Sequence, residues 1–75
     1  MATYELPDGR SLEVERMPDH VHWHLHIHGP PDTEIVGTPL GSTLAELFGY
    51  KVAHEEWPAW IDDLASEVEE ALGGH

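Results

Sequence analysis

The sequence predicts a two-layer α+β domain: an antiparallel β-meander of three or four strands packed against a C-terminal amphipathic α-helix, with a short helix near 43–49. Two observations carry this expectation. Apolar and polar residues alternate with period two through the first half, and apolar residues recur at three- and four-residue steps through the last third. Both apolar faces are too extensive to stay in water, so each covers the other.

The first strand pair spans Tyr4, Leu6, Leu12 and Val14, with Thr3, Glu5, Ser11, Glu13 and Glu15 between or beside them. Pro7-Asp8-Gly9 separates the two runs. Pro presets the first turn position, Asp suits the second, and Gly accepts the left-handed conformation of a bulged hairpin loop. That loop pairs Leu6 with Arg10, Tyr4 with Leu12, Glu5 with Ser11, and Thr3 with Glu13. Met17-Pro18-Asp19-His20 is a second turn. With Pro18-Asp19 as the loop, Val14 faces Trp23, Leu12 faces Leu25, Glu15 faces His22, Glu13 faces His24 and Ser11 faces His26. The third strand runs from Val21 to Ile27, and Gly29-Pro30-Pro31-Asp32 ends it, because prolines cannot donate to a ladder. Thr33 to Thr38 is a weaker fourth strand, interrupted by Gly37 and Pro39.

In the second half, Thr43 and Glu46 fit a capping box at the start of a short helix, with Leu44, Leu47 and Phe48 as its apolar side and Gly49 as its stop. Trp57, Trp60, Ile61, Leu64, Val68, Ala71 and Leu72 form one stripe of a longer helix that Gly73-Gly74 ends. Asp63, Glu67 and Glu70 fall on its solvated side. The three tryptophans read as core material, Trp23 meeting Trp57 or Trp60, since large rings give a thin core buried area.

Seventy-five residues make a single small domain, 1–75, with a thin core. The chain has no cysteine, so disulfides, thiolate zinc sites and iron–sulfur clusters are excluded. Three basic residues against 15 acidic ones give a net charge of −12. This argues against direct binding of nucleic acid or an anionic membrane, which needs clustered cations. Neither an apolar run of membrane-helix length nor a signal pattern is present, and the expected address is cytoplasmic.

The chemistry concentrates in one segment. His20-Val21-His22-Trp23-His24-Leu25-His26-Ile27-His28 alternates without a break. With the apolar set inward, the imidazoles form a row on the outer face of the sheet. Neighbours two apart on a strand stand about 6.6–6.8 Å from each other, near enough for their rings to converge on one ion, whereas residues four apart are not. The row therefore offers overlapping His-x-His pairs that need further ligands from a neighbouring strand. His22, His24 and His26 are the central ligand candidates, with Glu13 and Glu15 as partners. Mixed imidazole and carboxylate donors suit divalent zinc, nickel, copper or cobalt. The His-x-His strand dyad is similar to those of carbonic anhydrases and cupins. That resemblance covers three residues, and neither family's remaining motif is present. His54 and His75 stand apart from the row and add little to it.

Other readings of this face need no metal. Histidines opposite glutamates on an exposed sheet contribute about 0.2–1 kcal/mol per cross-strand pair as plain surface residues. Histidine also titrates near neutral pH, so proton sensing is a further reading of the face. The same face, or the acidic helix, would serve a protein-interaction or regulatory adaptor. Such an adaptor would bind an unknown protein partner or its own copy as a homodimer, or mimic DNA phosphates before a basic protein. Catalysis is not expected. Ser11 opposite His26 has neither an oxyanion hole nor a pocket, and Gly37-Thr38-Pro39-Leu40-Gly41-Ser42-Thr43 lacks the lysine of a phosphate loop. The sequence thus reads as a non-catalytic acidic module whose His/Glu sheet face binds a divalent transition metal.

Overall fold

A computed structural model describes residues 2–73; Met1, Gly74 and His75 lie outside the described residues. Four strands form one antiparallel sheet in chain order: β1 (Ala2–Glu5), β2 (Ser11–Arg16), β3 (Trp23–His28) and β4 (Thr33–Gly37). Helix α1 (Leu40–Leu47) follows, then a 3₁₀ turn at His54–Glu56 and helix α2 (Ala59–Ala71). Both helices cover one face of the meander, the α+β arrangement the periodicities predict.

The first hairpin has the expected register, Tyr4 opposite Leu12 and Thr3 opposite Glu13. The amide of Leu6 donates to the Arg10 carbonyl at 2.8 Å and that of Gly9 to Leu6 at 3.0 Å. Gly9 takes φ +90°, a conformation that a side chain would strain.

The second hairpin corrects the sequence reading. Its register is displaced by two residues, so Leu12 faces Ile27, Glu13 faces His26, Val14 faces Leu25, Glu15 faces His24 and Ser11 faces His28. The cause is a longer loop. The Met17 amide donates to the His22 carbonyl at 2.9 Å, and the turn between them places His20 at φ +60°. One carboxylate oxygen of Asp19 accepts the amides of Val21 at 2.9 Å and His22 at 3.0 Å. These bonds supply the loop with the partners that a two-residue turn would have taken from the ladder. Val21 is consequently exposed and outside the strand, contrary to the inward position the alternation assigns it. A two-residue shift leaves each side chain on its original face, and β4 completes the sheet with His26 opposite Glu34 and His24 opposite Val36.

The inner face supplies Leu12, Val14, Trp23, Leu25 and Ile27, which pack with Leu40, Leu44, Leu47, Ile61 and Val68 of the helices. Helix α1 begins earlier than expected, at Leu40, and Thr43 is not its cap. The Thr43 hydroxyl instead donates back to the Pro39 carbonyl at 3.0 Å from a buried position. Gly37 permits this close approach, since a Cβ there would stand 2.9 Å from Thr43 Oγ1. The tryptophans take separate partners. Trp23 lies beneath the Arg16 guanidinium at 4.3 Å, Trp60 is edge-on to Phe48 at 5.0 Å, and Trp57 is edge-on to His54 at 4.7 Å. On α2, Ile61 and Val68 are fully covered, while Ala71 at the end of the stripe is exposed.

Candidate metal centre

The outer face of the sheet is built by the alternation of β2, β3 and β4. His24, His26 and His28 project from β3, with Glu13 and Glu15 on one side and Glu34 on the other. His26 occupies the middle, directly opposed by Glu13 across one ladder and by Glu34 across the other. Its side chain is also the most shielded of the three, 19% exposed against 30% for His24 and 44% for His28.

Glu13, His26 and His28 converge: each offers one ligand atom, and these atoms lie within 4.8 Å of one another. Oε2 of Glu13 is 3.6 Å from Nε2 of His28, and the His26 and His28 rings are 3.9 Å apart between centroids. Bonds of about 2.0–2.1 Å to a tetrahedral ion would set ligand atoms roughly 3.4 Å apart. Closing from 4.8 Å to that spacing requires rotation about χ1 and χ2 of these side chains. Two imidazoles and a carboxylate form a borderline donor set that suits zinc, nickel, copper or cobalt.

The remaining expected ligands are placed elsewhere. His22 lies in the β2–β3 loop, where its Nδ1 donates to Asp19 at 2.5 Å. His24 turns toward β4, its Nε2 donating to Glu34 Oε2 at 3.3 Å. Glu15 is exposed opposite His24. Of the five candidates, the structure thus joins Glu13 and His26, and adds His28. The signal for His28 was present as the last member of the histidine row; the two-residue register shift is what brings it beside Glu13.

A second layer of carboxylates flanks the group. Nδ1 of His26 is 3.7 Å from Glu34 Oε1, and its Nε2 is 4.0 Å from Asp32 Oδ2. Asp32 is held in place by accepting the Gly29 amide at 2.8 Å. Carboxylates beside a ligating imidazole orient the ring and raise its basicity. Away from this face, Asp19 is held well below the usual carboxylate range by the amides of His22 and Val21 and by the His22 ring. His54 is raised by its hydrogen bond to Asp62, 3.0 Å from Nε2 to Oδ1.

No family model, curated protein or solved structure matches this chain. The functional reading rests on the side chains themselves.

Proposed function

We propose that this chain is a small, non-catalytic binding module that takes up a divalent transition metal on the outer face of its sheet, with Glu13, His26 and His28 as ligands. The observation that carries the reading is the convergence of their three ligand atoms within 4.8 Å. The net charge of −12 supports it, because a strongly negative surface concentrates cations around the site. Three protein ligands leave a further coordination position for water or for a donor from a partner. Two surface grooves among the described residues are lined by side chains other than Glu13, His26 and His28. No helix among the described residues is long and apolar enough to cross a membrane.

Isothermal titration calorimetry with zinc, nickel, copper and cobalt tests the proposal. One-to-one binding at micromolar concentration or below supports it, and the absence of heat with all four ions refutes it.

A second reading is favoured by a separate observation. Each histidine of the outer face lies near a carboxylate: His24 by Glu34, His26 by Glu34 and Asp32, and His28 by Glu13. These pairs also suit a metal-independent protein-interaction surface, for a partner or a second copy, whose charge responds to pH. Binding of a partner that persists in a chelator would favour it.

A further inference from the structure

We propose that the groove between the β2–β3 loop and the C-terminal end of α2 binds a small monoanionic carboxylate with an apolar body, recognised by Arg16. The groove has a volume of about 450 Å³, within the range of small-molecule sites. None of Glu13, His26 and His28 lines it, so this inference and the metal reading stand or fall separately.

Arg16 is one of only three basic residues in the chain. The guanidinium of Arg10 is committed to Asp8, at 2.6 Å from Nη2 and 2.7 Å from Nε. Arg16 differs: among the described residues it has no carboxylate partner, and its Nε–H is buried without an acceptor. A buried donor without an acceptor carries a desolvation penalty, and a ligand oxygen would relieve it once the side chain turns that N–H toward the groove that Arg16 lines. Position accounts for its isolation. Arg16 ends β2 on the inner face, opposite Trp23, and its guanidinium lies over that indole at 4.3 Å. The contact with the indole restrains the guanidinium, a planar group whose fork of donors matches a carboxylate.

The walls define the rest of the ligand. Met17, Pro18 and Leu72 supply apolar surface for a hydrocarbon body. Glu15 and His20 line the same groove, and the whole chain is strongly acidic. One negative charge is matched by Arg16, whereas a second would add to the repulsion from a chain of net charge −12. That balance selects a monoanion over a phosphate dianion.

Proton–nitrogen correlation spectra of the full chain, titrated with sodium hexanoate, test the inference, with sodium chloride and inorganic phosphate as comparisons. Hexanoate should produce saturable shifts at millimolar concentration in the Arg16 Nε–H, the Trp23 indole and the amides of Leu72 and Gly73. Phosphate should bind about tenfold more weakly or not at all, and chloride should leave these signals in place. Arg16→Lys keeps the charge but loses the planar fork, and should weaken binding at least about tenfold. Glu15→Gln should strengthen it. Unsaturable shifts, equal shifts with chloride, or unaltered affinity in Arg16→Lys would overturn the proposal. Should Arg16→Lys lose its spectral dispersion, the response of the unaltered chain and of Glu15→Gln decides the matter.

Discussion

The rings of His26 and His28 stand 3.9 Å apart between centroids, tilted by 41°. Their backbone positions, two residues apart on one strand, are about 6.6–6.8 Å from each other. The side chains therefore lean together, and a ligand atom of each lies within 4.8 Å of one on Glu13. His22 and His24 do not share this arrangement, since each is drawn to a different carboxylate, Asp19 and Glu34 respectively.

Substitutions in the row should accordingly be unequal. His28→Ala removes a ligand and should weaken zinc binding at least about tenfold, or about 1.4 kcal/mol. His22→Ala should leave the affinity within a factor of about two, as it lies outside the group. Calorimetric titration of the two variants checks this, and equal losses would move the site toward the loop.

Asp19 should govern the acid limb of the β2–β3 loop. Its folded pKa lies below the unfolded value of about 3.9. The stabilisation it confers is therefore present above that unfolded value and is lost as pH falls through the folded one. Carboxyl-carbon NMR titration should show Asp19 still ionised below the ordinary aspartate value of about 3.9. Asp19→Asn should lower the thermal midpoint at neutral pH and narrow its difference from the midpoint in acid.

His54 should behave with the opposite sign. Asp62 raises its folded pKa above the ordinary 6.5, so the stabilisation from this pair is complete below 6.5 and is lost as pH rises through the folded value. Histidine ring titration should show His54 retaining its proton above that value, and Asp62→Asn should return it toward 6.5.

The core should be intolerant of truncation. Leu25 is 0% exposed at the centre of the sheet, so Leu25→Ala should cost about 2–5 kcal/mol. Native proteins are stable by about 5–15 kcal/mol, so urea titration should find the midpoint of this variant well below that of the unaltered chain.

What the sequence made legible follows from where local chemistry decides. Pro7-Asp8-Gly9 determines its own hairpin, and that register is the expected one. The β2–β3 register was less accessible, because it depends on Asp19 bonding two amides and on His20 adopting a positive φ. Neither is signalled by alternation, which is blind to a shift of two. The error kept the face and moved the partners: Glu13 meets His26 in place of His24, and His28 enters the group while His22 leaves it. At α1, Thr43 and Glu46 have the spacing of a capping box, yet tertiary packing places Thr43 against Gly37 and its hydroxyl on Pro39.

The most direct test of the metal reading is nitrogen-15 NMR of the histidine rings during a zinc titration of the full chain. The ring signals of His26 and His28 should move together and saturate at one equivalent, while those of His22 and His54 stay in place. Rings that remain unmoved at micromolar zinc, or a response centred on His22 and His24, would contradict it.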